Sequence, residues 1–502
     1  MKQILCISKN KDKIEKILEI IFWLAVITLI TSSILLKPLN DLDEMWNYNF
    51  SKNILEGRIP YKDFNIIIMP LVPYIGTIFL VIFGNEMFSM RIFAIITNFI
   101  ILFTIYKVLL NIKVDKEFSK LIILGLLYIL NIHLRIDYNF FSLLLLLLII
   151  YIEIVNAKNI HKKNHKIDIV LGILSGLCVC SKQTIGICIT IVTMFYQIMF
   201  IKNKEDFKIF IKKLFDRFIG FLAVIMLLVI YFCVFDLWND FIDYAILGIK
   251  DFSNKIPYML LIKSKKWYLK VLSIIVPIYL GMNLIYVLAS RAKNKELDTN
   301  NVIILAYSWA SISVIFPISD EIHFLVGCIP SIIGIIYILS LILLNNKKRW
   351  ILIETASQVL SIYIVVIAIL NSVKMVGALK QTDKGINHFK LIPNTSYSSI
   401  LEVDDYIKNQ NKDVYILDSS AVLYTIPIDQ YNKNYDMFNK GNLGAKGEDG
   451  IIEDLKNKTN IQILILQDNY IRNWQTPLKV IDYIKNDLNK TGSIGIFDIY
   501  EK

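Results

Sequence analysis

Residues 41–63 read DLDEMWNYNFSKNILEGRIPYKD. Asp41, Asp43 and Glu44 crowd three carboxylates into four residues; an aromatic, a short helical run, a Gly turn and then Pro60, Tyr61 and Asp63 follow. Just before this stretch, the apolar run 17–36 is long enough to cross a bilayer, which takes about 20 residues of helix. The acidic stretch therefore starts where the chain leaves a membrane. An acidic loop can be simply solvated, or it can hold a catalytic carboxylate at the membrane surface. The rest of the chain has to decide which.

The 502 residues are 55% hydrophobic and 19% charged, with a mean hydropathy of +0.54. A soluble domain needs more polar surface than that, and the lipid bilayer is the first partner implied. The net charge of +11 does not mark a nucleic-acid binder. The Lys and Arg residues sit in short loops between apolar runs, which is the positive-inside pattern. Six cysteines form no CxxC motif and read as small core residues.

Lys9, Lys11, Lys13 and Lys16 precede the first apolar run and no small-residue cleavage site follows it, so an uncleaved helix with a cytoplasmic N-terminus is expected. Residues 66–83 look like a second span, but Pro70 and Pro73 break the first half. Only if this segment fails to cross do all the basic loops face one side. It is expected to lie along or dip into the outer surface, within a long external loop over 37–89. Further spans are expected at 90–111, 118–132, 139–155, 167–181, 184–201, 216–235, 269–290, 301–318, 324–344 and 350–370. That makes about eleven, an odd number, which puts the C-terminus outside a plasma membrane. Beyond residue 371 the apolar runs stop. DVYILD (413–418), IQILILQ (461–467) and IGIFDIY (494–500) read as buried strands, and 398–409, 448–456 and 477–489 as helices. The fold class expected is an α-helical polytopic membrane protein over 1–370 with a small extracytoplasmic α/β domain over 371–502, its sheet mostly parallel.

On that topology the chemistry-bearing residues converge on the outer side. Asp41, Asp43, Glu44 and Asp63 lie on the first loop, Asp137 on the second, Lys182 and Gln183 on the third, and Asp320, Glu321 and His323 further on. Sugar transfer from a lipid phosphate needs these residue types. A carboxylate takes the proton of the acceptor hydroxyl, and negative charge stabilises an oxocarbenium-like state. The leaving phosphate is already anionic and needs positive charge from Lys, Arg or a metal. Carboxylates suit Mg or Mn, so Asp43 and Asp137 could share a divalent cation, with Zn as a further option. Lysines in 236–268 could contact headgroups or a lipid phosphate, and the glycine-rich GNLGAKGEDG (441–450) reads as a flexible loop.

The ordered set resembles the first half of the GT-C membrane glycosyltransferases, the kind that includes protein O-mannosyltransferases and lipid A aminoarabinose transferases (glycosyltransferase family 39-like). The acidic pair Asp43-Glu44, the NILEGRIPYKDF pattern, a second external Asp at 137, and Gly172, Gly176 and Lys182 in GILSGLCVCSKQ carry the resemblance. It implies a polyprenyl-phosphate-linked sugar as donor and an extracytoplasmic acceptor. Asp43 is then the base or metal ligand, with Glu44, Asp41 and Asp137 assisting. Lys182, Asp63, Tyr61, Arg58 and His323 are the candidate substrate-binding residues. One departure is Met69 before Pro70, where many relatives carry an acidic residue or His. The rival class is a transporter or lipid flippase, which predicts broken helices and charges near mid-bilayer. A receptor displaying the outer domain is a third, weaker reading.

Overall fold

The computed structural model describes residues 2–39, 41–248, 255–343, 347–380, 398–425, 437–438, 441–471 and 476–502. Helices α1 (Lys2–Leu35), α2 (Leu42–Leu55), α3 (Leu71–Phe83), α4 (Met87–Asn111), α5 (Lys116–Leu130) and α6 (Tyr138–Val155) form the first half of a bundle. It continues through α7 (His165–Ser181), α8 (Gln183–Phe195), α9 (Lys204–Phe235), α10 (Trp267–Ala292), α11 (Thr299–Ile312), α12 (Glu321–Leu343) and α13 (Lys347–Lys380). Every one of the eleven expected spans is helical. Eight helical stretches in the described residues are long and apolar enough to cross a membrane. The helices at 116–130, 165–181 and 299–312 are shorter, at 15, 17 and 14 residues. This is a multi-pass membrane protein.

Polar residues at the ends of the apolar runs start many of these helices. Asp41, Asp115, Asp137, Asn164, Asn203 and Asp298 each accept a backbone N–H of the first turn, satisfying donors that the helix leaves open. The disputed segment 66–83 yields only α3, 13 residues long. Pro70 precedes it and Pro73 sits in its first turn, where proline costs no hydrogen bond. At 1.5 Å per residue it spans about 20 Å, short of a hydrocarbon core of about 30 Å.

The glycines of GILSGLCVCSKQ have a packing reason. A Cβ at Gly172 would lie 1.9 Å from the Arg217 carbonyl oxygen, and one at Gly220 2.1 Å from that of Ile169. These glycines let α7 and α9 meet backbone to backbone, as small residues do between membrane helices.

The C-terminal part holds α14 (Ser398–Lys408), β1 (Asp413–Ile416), α15 (Gly447–Asn457), β2 (Ile461–Leu466), α16 (Leu478–Asp487), β3 (Asn489–Ile494) and β4 (Phe497–Glu501). The sheet order is β1-β2-β4-β3. Only β1 and β2 pair in parallel; β2 with β4 and β3 with β4 are antiparallel, so the expectation of a mostly parallel sheet is corrected. The segment expected as one strand over 494–500 instead turns at Gly495, whose φ of +54° suits glycine. That turn makes a hairpin with β3, an exposed polar edge strand without apolar alternation. The helix expected over 477–489 accordingly stops at Asp487, and α13 runs through the boundary expected at 370 to Lys380.

β2 is buried along its whole length, with successive side chains on opposite faces. Leu464 and Leu466 join the apolar cluster that continues into the helix bundle, while Ile461, Ile463 and Ile465 join a second one with Leu455 and Ile484. Trp46 Nε1 donates to the Ser419 carbonyl at 3.2 Å, and Asn65 Nδ2 to the carbonyls of Met437 and Asn442 at 2.8 and 3.1 Å. The sheet unit thus docks on the acidic stretch and on the loop that follows it.

Candidate active site

Asp41 ends the loop after α1 and caps α2; Asp43 and Glu44 are in that helix's first turn. The segment between α5 and α6 brings Arg135 to them. Its Nη1 lies 2.8 and 2.6 Å from the two oxygens of Asp41, its Nη2 donates to Asp43 Oδ2, and its Nε lies 3.1 Å from Asp137 Oδ2. One guanidinium therefore bridges three of the five aspartates picked out in the sequence. The planar fork of Arg suits several carboxylates at once, and it cannot lose its proton.

The three aspartates differ in what remains free. Asp137 is 1% exposed; its Oδ1 caps α6 through the amides of Asn139 and Phe140 at 2.8 and 2.9 Å. Asp41 also takes Lys37 Nζ at 2.8 Å. Burial alone would raise its carboxyl, but Arg135 and then Lys37 outweigh this and hold it well below the usual carboxylate range. Asp43 is 39% exposed. Desolvation by the surrounding protein, then the charges of Asp41 and Asp137, push its carboxyl above the usual value, against the pull of Arg135 and His323.

Lys182 stands in the break between α7 and α8. Its Nζ donates to Asn139 Oδ1 at 2.7 Å and lies 5.1 Å from the Tyr138 ring centre. Burial pushes its pKa down to about 8, even though Asp137, Asp320 and Asp43 pull it upward. Gln183, next to it, donates to the Ile67 carbonyl at 2.9 Å and ties this tip to the first loop. His323 Nδ1 lies 2.8 Å from Asp320 Oδ1. Desolvation would raise the Asp320 carboxyl, but His323 and then Arg135 hold it below its ordinary value. Asp43, Asp137, Lys182, Asp320 and His323 thus share one electrostatic neighbourhood around Arg135.

The other expected residues sit beside this centre with visible structural duties. Glu44 is 4% exposed and forms a bidentate pair with Arg91, at 2.8 and 3.0 Å; Arg91 also donates to the Lys37 carbonyl at 2.8 Å. Asp63 Oδ2 accepts the Ile59 amide at 2.7 Å and closes the turn in which Tyr61 takes a φ of +70°. The Tyr61 hydroxyl donates to the Ile68 carbonyl at 2.7 Å and lies 3.9 Å from Met69 Sδ, the residue that departs from the family pattern. Arg58 is half-buried just after α2, its amide bonded to the Asn53 carbonyl at 2.9 Å. Asp418, at the end of β1, spends its oxygens on Ser420 and Thr476. In the glycine-rich loop, Ala445 donates its amide to Asp243 at 2.8 Å.

Sequence reasoning missed Arg135, Arg91 and Lys37, and also a second charged knot beside the first. There Glu321 gathers Lys266 Nζ at 2.6 Å, the Tyr268 hydroxyl at 2.6 Å and His133 Nε2 at 3.0 Å. The signal was present: HLRIDYNFF sets an Arg two residues before the Asp at the edge of an apolar run, where a charge needs a partner. As for a metal, no group of three or more His, Cys, Asp or Glu side chains among the described residues is placed to hold an ion. Between Asp43 and Asp137 the cation is the Arg135 guanidinium, so this donor set does not fit a shared divalent ion as arranged.

ArnT from Cupriavidus metallidurans with undecaprenyl phosphate bound superposes with a TM-score of 0.58, over 96% of this chain and 97% of that one, at 10% identity. The chain has the GT-C fold. The apo form of ArnT matches this chain with a TM-score of 0.56, at 9% identity over 98% of both chains. The oligosaccharyltransferase AglB from Archaeoglobus fulgidus matches at 0.47 and 12% identity, over 88% of this chain and 69% of that one. The sequence model of the dolichyl-phosphate-mannose-protein mannosyltransferase family matches residues 69–232, a segment that includes Arg91, Arg135, Asp137 and Lys182 but not Asp43. No curated protein sequence matches.

Proposed function

We propose that the protein is a membrane glycosyltransferase that moves a sugar from a polyprenyl-phosphate carrier to an acceptor hydroxyl on the extracytoplasmic face. The observation that carries this reading is Asp43: a partly open carboxylate held at Arg135, in one neighbourhood with the half-buried Lys182. The fold shared with ArnT, which binds undecaprenyl phosphate, supports a lipid-linked donor.

In the reaction, an acceptor oxygen attacks the anomeric carbon while the bond from that carbon to the phosphate oxygen breaks. Asp43 takes the acceptor's proton, and the bonding pair leaves with the polyprenyl phosphate. The growing phosphate charge meets Lys182, whose Nζ is held by Asn139, while Arg135 holds Asp43 in place. Asp137 and Asp41 position Arg135, Glu44 positions α2 through Arg91, and Asp63 and Tyr61 shape the loop. His323 and Arg58 are the groups proposed to contact sugar or acceptor. Because the Arg135 guanidinium stands between Asp43 and Asp137, where a shared ion would have to sit, we propose transfer without a divalent ion, so that a chelator leaves the rate unchanged.

The test is mass spectrometry of cell-envelope glycans from cells carrying the wild-type gene, no gene, or Asp43→Asn. A sugar lost in the deletion and restored by wild type but not by the variant supports the proposal. Glycans identical in all three would remove it and bring the transporter reading forward.

A further inference from the structure

Tyr138 opens α6 directly after the capping Asp137 and is half-buried. Its backbone carbonyl accepts Ser181 Oγ at 3.3 Å, and Ser181 Oγ also lies 2.9 Å from Ser142 Oγ. The first turn of α6 is thereby fixed against the end of α7. The Tyr138 ring centre then lies 5.1 Å from Lys182 Nζ, so the ring supports the ammonium. Its hydroxyl is unspent. Asp43, Asp137, Arg135 and Asp320 are its charged neighbours, yet among the described residues none exchanges a hydrogen bond with it. Lys182 is also under-used. An ammonium has three N–H donors, and among the described residues its one acceptor is Asn139 Oδ1, a neutral amide oxygen.

We propose, given a lipid-phosphate donor, that Tyr138 is a donor-binding residue whose hydroxyl hydrogen-bonds the same phosphate as Lys182. A phenol keeps its proton at neutral pH, so the group that fits beside it is an acceptor, and the neighbouring ammonium favours an anionic one. One phosphate can take the O–H and an N–H through different oxygens, at about 2.8 Å each. The ring meanwhile keeps the ammonium in place.

Native mass spectrometry of the purified full chain tests this with undecaprenyl phosphate and with undecaprenol, which has the same chain and no phosphate. Wild type should bind the phosphate form more tightly. Tyr138→Phe, which keeps the ring and loses the hydroxyl, should bind it about tenfold less tightly and should bind undecaprenol as wild type does. Its thermal midpoint should hold, because the hydroxyl bonds no described residue. Tyr138→Leu, which removes the ring as well, should lose more affinity for the phosphate form. Neither ligand carries a sugar, so these losses would place the contact on the phosphate. A Tyr138→Phe variant that binds undecaprenyl phosphate like wild type, or that weakens both ligands alike, would overturn the proposal. Wild type with no preference between the two ligands would instead remove the lipid-phosphate donor, and with it the function proposed above.

Discussion

Asp41 and Asp43 both touch Arg135, yet their surroundings set them apart. Asp41 is held ionised by two cations and caps a helix, whereas Asp43 keeps part of its surface open and a raised affinity for protons. Asp43→Asn should therefore leave an inserted, folded protein whose transfer rate falls by about 10²–10⁴, the usual cost of a lost general base. Asp41→Asn keeps a capping side chain and leaves Arg135 two aspartates, so a loss of about tenfold is expected. Turnover of a lipid-linked donor by the purified variants checks both, and the opposite ranking would move the base to Asp41. The pH profile of kcat/KM follows from the same environments. Asp43 must be ionised to accept a proton, so the rate rises as pH climbs through its raised pKa. Lys182 must be charged to meet the phosphate, so the rate falls again near pH 8. Lys182→Arg should remove that alkaline limb; a limb that stays in place would separate Lys182 from the donor. The aspartates were legible because three acids beside an apolar run are conspicuous. Arg135 was not, because its significance lies in carboxylates 92 and 94 residues away.

At the scale of elements, α2 is the least expected. Its sequence, LDEMWNYNFSKNIL, is no membrane helix, yet Glu44 through Asn53 are all buried, covered by α3, α4 and the C-terminal unit. The sequence showed a helix and a Gly turn; it could not show what would lie on top. Glu44–Arg91 anchors the helix from below, and both side chains are almost fully buried. Removing one partner of such a pair typically costs about 3–5 kcal/mol, because the other charge is stranded. Arg91→Leu should lower the thermal unfolding midpoint in detergent and abolish transfer. Adding Glu44→Leu should recover much of the stability but not the activity, whereas a double variant no more stable than the single one would show that stranded charge is not the cause. The edge strand β3 escaped notice for the opposite reason: its sequence, NKTGSI, buries too little to leave an apolar pattern.

Across the whole molecule, the eleven apolar runs and the late change in composition were readable because the bilayer forces long helices. What stayed hidden was the pairing of loops distant in sequence. In the structure Glu86, at the start of α4, and the C-terminal unit lie at the same end of the bundle as Arg135. In a chain whose six native cysteines are replaced, Glu86→Cys and Asp405→Cys should both react with a membrane-impermeant thiol reagent added to intact cells. A residue labelled only after lysis would place that end of the bundle, and the acidic centre with it, in the cytoplasm.

The hydrogen bonds from Trp46 and Asn65 to the C-terminal unit have a practical corollary. Together with the apolar cluster that runs from the helices into the sheet, they make the covalent connection between the two parts dispensable for holding them together. Residues 1–380 and residues 398–502, the latter fused to a secretion signal so that it reaches the same side of the membrane, should co-purify as a complementing pair when co-expressed. Trp46→Ala should weaken that reassembly while the intact chain, whose tether keeps the local concentration high, tolerates the same change.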